Sequence, residues 1–319
     1  VWADIEPFDA VVTVHDSLSD RTLLFPDAGT NTIFEIPGSG DEVFADCDVT
    51  VELSFRNHRL APCPLEPRAA VAQWETVDGV EHLTQWSENQ GAHGTRDGLV
   101  AALGVEPEQV RVITPDVGGG FGAKNGMYPE DVVVAMLARK IGRPVRWNET
   151  RSESMLGLVH GRGQEITATI GGTRDGRVLG LRSHVIQDGG AYPNVGSILP
   201  IFAKNLASGP YDIANVDVST VSVATNTVPV GAYRGAGRPE AAHIIERMMD
   251  AFAAEIEMDP VDVRRKNFVS PDAFPYTNAS GTTMDSGNYT GALDTVMAQI
   301  DYAELRAEQA RRRNDPNAK

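Results

Sequence analysis

Cysteine is nearly absent: the 319 residues include two, Cys47 and Cys63. They share no metal-ligand spacing and no C-x-x-C, so two buried thiols in a reducing cytoplasm are expected, a lone disulfide being the alternative. The seven histidines contain no H-E-x-x-H and no pair four residues apart, which argues against a zinc centre ligated by side chains. Positive charge is also short. Twenty-eight basic against 44 acidic residues leave a net charge of −16, the wrong sign for a nucleic-acid partner. Only five basic residues are lysine (124, 140, 204, 266 and 319), a bias that salt adaptation and a GC-rich genome both produce. No apolar run approaches the roughly 18–20 residues of a membrane span. Val1 is followed by no basic-then-apolar leader, so the expectation is a cytoplasmic protein whose own N-terminus lies upstream.

What is present is a globular composition, 41% hydrophobic and 23% charged, enough for one large domain or two ordinary ones. Residues 1–40 mix short apolar pieces with Pro, Gly, Asp and Ser and read as an irregular arm. Val49, Val51, Leu53 and Phe55 alternate as in a half-buried strand. Two further strands, "RAAVAQWET" and "VEHLTQWS", flank a turn at Asp78-Gly79. A helix is expected over "AHGTRDGLVAAL", closed by Gly104, and another from Pro129, with acids in its first turn and Arg139-Lys140 in its last. Strands over "EQVRVITPDV" (108–117) and "RPVRWNET" (143–150) bracket that second helix. A long hairpin surrounds "GGTRDGR", a strongly alternating strand covers "VDVSTVSVATNTV", and helical periodicity runs from Gly237 to Phe268. The tail "LRAEQARRRNDPNAK" is polar enough to fray. Mixed strands and helices of this kind give an α+β or α/β fold.

Two stretches carry chemistry. "VITPDVGGGFGAKNGMYPED" sets glycines between a strand and a helix, where backbone N–H groups approach an anion closely. Gly118, Gly120 and Ala123 formally satisfy G-x-G-x-x-A, so an NAD-dependent dehydrogenase is one reading, although Glu149 lies further on than the usual ribose-binding acid. Phe121 in the middle of the turn counts against it, and no Lys-Ser or Lys-Thr follows to make a P-loop. The second stretch, "TNTVPVGAYRGAGRPEAA", ends an apolar strand in Arg234 beside Gly235-Ala236-Gly237. Small residues next to a large cation suggest room for a bulky ligand. The structural alternative pairs Arg234 with Glu240 or Glu246.

Taken in order, "NHRLAPCPLEPRAAVAQW", "TQWSENQGAHGTRDGL", "VRVITPDVGGGFGAK", "RPVRWNETRSE", "SGPYDI", "TNTVPVGAYRGAGRPEAA" and "DPVDVRRKNF" resemble the large subunit of the molybdenum hydroxylases. This is the family of xanthine dehydrogenases, aerobic carbon monoxide dehydrogenases and aldehyde oxidoreductases. The resemblance runs over residues 45–300 and implies the molybdopterin-binding α+β domain of that family. It assigns Gln90 to a hydrogen bond near the metal's oxo group. It sets Gly120, Phe121 and Gly122 against the metal and pterin, and Arg234 with Gly235 in the active-site loop. The implied cofactor is molybdopterin cytosine dinucleotide, with molybdenum held by the pterin and not by side chains. The implied reaction hydroxylates an aldehyde or N-heterocycle with oxygen from water. Its electrons pass to iron–sulfur and FAD partner subunits in a dimer of heterotrimers.

Departures from the family pattern narrow the substrate. Purine-oxidising members have a glutamate where this chain has Asn125, an arginine at Phe202 and an aromatic ring at Ala236. The copper-holding cysteine of carbon monoxide dehydrogenases is replaced by Gly235. "AYRGAGR" instead resembles the form II branch. By the same resemblance, residues 1–40 are a connector after a hammerhead-like domain, and 41–319 are the first half of the cofactor-binding domain. The general-base glutamate lies downstream, so this chain alone is expected to be inactive. A non-catalytic scaffold derived from such a subunit is the remaining alternative.

Overall fold

The computed structural model describes residues 2–40 and 42–315. A short helix, α1 (Val14–Leu18), and strand β1 (Thr32–Ile36) come first. Then follow β2 (Val49–Asn57), β3 (Ala69–Val77), β4 (Val80–Ser87), α2 (Ala92–Leu103), β5 (Val110–Ile113), α3 (Pro129–Ile141), β6 (Val145–Asn148) and α4 (Arg151–Gly157). The second half contains β7 (Gln164–Gly172), β8 (Val178–Gly190), α5 (Leu199–Asn205), β9 (Asn215–Ala224), α6 (Arg238–Glu255) and α7 (Pro260–Asn267). A two-stranded ribbon, β10 (Tyr276–Thr277) and β11 (Thr283–Met284), precedes α8 (Tyr289–Gln299) and α9 (Tyr302–Arg313).

Two sheets organise the chain. The larger has the order β1-β9-β8-β7-β2, antiparallel except for the β8–β9 pair. Alternation along β2 puts Val51, Leu53 and Phe55 against α6, whose Ile244, Ile245, Met248, Met249 and Phe252 are buried. These helix positions recur at three and four residues, the stripe a sheet-packed helix needs. The smaller sheet has the order β5-β4-β3-β6. Its core is Ala70, Ala72, Leu83 and Leu99 against Val134, Ala135 and Ala138 of α3. Asp78 and Gly79, at φ 50° and 82°, make the two-residue turn that suits the twist of the β3–β4 hairpin.

Four expectations change. The arm is not wholly irregular: β1 pairs with β9 at the sheet edge, and Val14 packs on Val221 and Val223. The tail is helical through Arg313, tied by Arg306 to Asp259 and by Arg311 and Arg312 to Glu308; residues 316–319 lie outside the described residues. Neither cysteine is fully buried. Both are free thiols, Cys63 being exposed. Finally, β5 and β6 do bracket α3, but they sit at opposite edges of a mixed sheet with β4 and β3 between them. The glycine-rich turn therefore does not open a β-α-β unit with adjacent parallel strands, as a dinucleotide fold would require; the parallel neighbours in this sheet are β4 and β5, joined through α2.

Candidate active site at the seam of the two sheets

The glycine-rich turn leaves β5 in the smaller sheet, and the Arg234 loop links β9 to α6 in the larger. They meet backbone to backbone. The Arg234 N–H donates to the Phe121 carbonyl over 2.9 Å, and a Cβ on Gly122 would lie 2.3 Å from the Ala232 carbonyl oxygen. Gly122 also sits at φ 96°, a conformation open to glycine and costly to other residues. Phe121 itself is left-handed at φ 53°, so its ring stands at the surface of the turn with the Arg234 guanidinium 5.8 Å from its centre.

Gln90, between β4 and α2, supports this turn from the other side. Its Oε1 accepts the Gly122 N–H at 2.8 Å and the Lys124 N–H at 3.3 Å, while its backbone N–H donates to the Lys124 carbonyl at 2.9 Å. Gly120 lies so close that a Cβ there would come within 2.5 Å of the Gln90 side chain. Beneath the turn, Lys124 is 1% exposed and reaches Glu66 at 3.4 Å and Glu88 at 3.5 Å. Burial and the Glu66 charge raise the Glu88 carboxyl above its ordinary range, Lys124 opposing. Against its own desolvation, Glu66 is held below that range by the Gly118 N–H and Lys124.

Of the remaining sequence-derived positions, Gly235 (φ 97°) and Ala236 (φ 35°) form the tight loop itself. Phe202 on α5 is its neighbour: a Cβ on Gly237 would fall 2.4 Å from the Phe202 Cβ. Asn125 lies elsewhere. It lines a cavity of 620 Å³ with Gly122, Tyr128, Leu156, Val159 and Tyr192. Phe202 and Ala236 thus stand at the arginine loop, and Asn125 lines the cavity that Gly122 and Ala232 share.

The profile of the molybdopterin cofactor-binding domain matches residues 24–268. The chain belongs to this family. It is 39% identical over 282 residues to the carbon monoxide dehydrogenase large chain of Hydrogenophaga pseudoflava, covering 87% of this chain and 35% of that one. Against the nicotine 6-hydroxylase large subunit of Paenarthrobacter nicotinovorans the identity is 31% over 281 residues, covering 86% and 34%. Quinoline 2-oxidoreductase from Pseudomonas putida 86 superposes with a TM-score of 0.90 at 31% identity, over 97% of this chain and 40% of that one. The carbon monoxide dehydrogenase of Oligotropha carboxidovorans does so with a TM-score of 0.90 at 33% identity, over 97% and 41%. The chain spans about a third of the length of the curated relatives it matches.

The seam fits the electron-rich group of this molybdopterin-binding family. Gln90 commits its carbonyl oxygen to the turn, leaving the amide nitrogen without a partner among the described residues. The N–H groups of Gly120, Phe121 and Gly235 likewise have no acceptor there. Arg234 is exposed and has no carboxylate partner among the described residues. Both carboxylates weighed for it are taken elsewhere: Glu240 pairs with Arg162 at 3.0 Å, and Glu246 with Arg264 at 2.7 Å and the Tyr211 hydroxyl at 2.8 Å. A cluster of unfilled donors around backbone without side chains is a cradle for an anionic ligand. Glu149, the ribose-binding acid of the dinucleotide reading, is buried and held by Arg68 at 2.6 Å, out of reach of any ligand.

Sequence reasoning missed Arg162, Arg68 and the part Lys124 plays. The only trace of Arg162 was its place between two glycines in "HGRGQE". A buried arginine and an exposed one leave the same mark in a sequence.

Proposed function

We propose that this chain is part of the catalytic large subunit of a molybdenum-dependent hydroxylase. The observation that carries the reading is the convergence of Gln90, the 120–122 turn and the Arg234 loop at one seam, with donors unfilled. The cofactor-binding domain takes in β1 as well as residues 41–319, and the residues ahead of it act as the connector after an upstream domain. Hydroxylation of an electron-poor carbon with water-derived oxygen, and removal of two electrons, is the chemistry the molybdenum–pterin group supplies when bound. Gln90 holds it through its free amide N–H, and the backbone N–H groups of Gly120, Phe121 and Gly235 offer further donors. Arg234 supplies positive charge from a loop whose backbone is pinned to Phe121. Gly122 and Gly235 keep the approach clear of side chains. The cofactor is taken as the cytosine dinucleotide form, and a glutamate from other polypeptide completes proton transfer.

The substrate is an aldehyde or an N-heterocycle. Asn125, Phe202 and Ala236 offer neither the charged anchors nor the stacking ring that would fix a purine. Gly235 has no sulfur with which to hold copper, which argues against carbon monoxide despite the similarity to carbon monoxide dehydrogenases. Relatives named for nicotine and quinoline support a heterocycle, as does the largely apolar cavity beside Gly122 and Asn125. Electrons leave to iron–sulfur and FAD subunits in a cytoplasmic dimer of heterotrimers.

The test is to purify the complex from its host through a tag on this chain. Molybdenum is then measured by mass spectrometry, CMP release by mild acid hydrolysis, and turnover with aldehydes, N-heterocycles and carbon monoxide. About one molybdenum and one CMP per large subunit support the reading. A complex that contains the downstream polypeptide but no molybdenum overturns it in favour of a scaffold.

A further inference from the structure

We infer that Arg162, locked by Glu240, is a positioning residue that sets the place of Arg234 from behind the loop. The inference rests on the role proposed above for Arg234. Arg162 is 5% exposed and Glu240 fully buried. The Arg162 guanidinium divides its donors between the two elements that meet at the loop. Nη1 donates to Glu240 Oε1 at 3.0 Å and to the Tyr233 carbonyl at 3.1 Å, and Nη2 donates to the Arg234 carbonyl at 2.9 Å. The other Glu240 oxygen accepts the Gly237 N–H at 2.8 Å. One planar fork and one carboxylate therefore grip the loop on both sides of Ala236, whose φ of 35° is unfavourable for a residue with a side chain.

The grip is anchored to the larger sheet. Arg162 precedes β7 at φ 65°, a left-handed conformation that bulky residues keep only when their surroundings hold it. Fully buried Gln187 of β8 does so. Its Nε2 donates to the Arg162 carbonyl at 2.9 Å and to the Asp188 carbonyl at 2.8 Å, with the Gly163 carbonyl at 3.2 Å, and its Oε1 accepts from Gln164 at 2.9 Å. Placement thus passes from the sheet end to Arg162, then through two carbonyls to the residue in the site. Arg162 cannot be exchanged for lysine here, because an ammonium lacks the flat fork that reaches two carbonyls and a carboxylate together.

The test uses the complete enzyme with its partner chains. It compares Arg162→Lys and the double variant Arg162→Met/Glu240→Leu with the unmodified complex. Hydrogen–deuterium exchange is followed at the amides of residues 233–238, alongside molybdenum content, kcat and KM. The apolar pair is chosen because replacing a buried ion pair with well-packed hydrophobic residues often preserves stability. In both variants loop exchange is expected to rise about tenfold. kcat is expected to fall about 10- to 100-fold, because reacting groups are misplaced. KM changes less than about threefold, since Arg162 lies behind the loop and not in the site. Loop exchange and kcat unchanged in Arg162→Lys overturn the inference, and so does a folded double variant that matches the unmodified enzyme. An unmodified complex without molybdenum is instead a failure of the functional reading. In that case loop exchange in Arg162→Lys still decides whether Arg162 holds the loop.

Discussion

Gly122 is the residue with least freedom in the site. Its left-handed backbone and the Ala232 carbonyl 2.3 Å from where a Cβ would stand leave relief only in separating turn from loop. Gly122→Ala in the complete enzyme is therefore expected to cut molybdenum content at least about tenfold, with about 1–3 kcal/mol of strain. Circular dichroism close to that of the parent would localise the damage to the seam; full molybdenum occupancy would show that the turn does not bear on the cofactor. Arg234 behaves oppositely. It is exposed, and the described contact of its side chain is the Phe121 ring; its backbone N–H bonds Phe121 and its carbonyl accepts from Arg162. Arg234→Ala should lower kcat about 10²-fold and change unfolding free energy by less than about 0.5 kcal/mol. Parallel losses of stability and turnover would return Arg234 to a structural role.

At the scale of elements, the approach of α3 to the end of β3 depends on Arg68. Its guanidinium binds Glu149 after β6 at 2.6 Å and Glu130 of α3 at 3.1 Å, and lies 3.9 Å over the Tyr128 ring. Removing Glu149 strands a buried cation, with Glu130 left as its half-exposed partner. Glu149→Ala is expected to cost about 3 kcal/mol, the lower end for a broken buried pair, read as a shift in the urea midpoint at constant slope. Phe252 is the comparable apolar case, fully buried between α6 and the larger sheet, and Phe252→Ala should cost about 3–5 kcal/mol. These elements differ in how legible they are in the sequence. The alternation of β2, the Asp78-Gly79 turn and the Gly104 cap of α2 are local signals, and each element appears where its signal stands. Strand β1 has five residues and no clear alternation; it is a strand because β9 offers it an edge. Helix α9 is polar, and a frayed tail was the natural expectation. Contacts from Tyr302 and Arg306 to Asp259 of the α6–α7 turn hold it.

For the whole molecule, acid is the revealing variable. Burial, then the Arg59 charge, pushes the His160 imidazole below its ordinary value; burial, Arg247 and His58 do the same to His243. As pH falls through about 6.5, unfolded imidazoles take up protons that these two folded ones refuse. The unfolded state then binds more protons, so stability declines as pH drops below that value and levels once the folded pKa values are passed. The urea midpoint is expected to fall between pH 7 and 5.5, and His160→Gln/His243→Gln to flatten that fall. A double variant with an unchanged slope would assign the acid sensitivity elsewhere. By itself the sequence marked the candidate residues: the glycine-rich turn and the Arg234 loop stand out by composition, whereas Gln90 became a candidate only through the family resemblance. It also determined most strands and helices, since period and caps are local. Only the tertiary structure decided that β5 and β6 are not neighbours, that Glu240 serves Arg162 and not Arg234, and that Asn125 lines a cavity with Gly122 and Ala232. Those facts depend on residues far apart in the chain, Arg162 and Glu240 being 78 positions apart, and pairing at that range is set by the packing of two sheets.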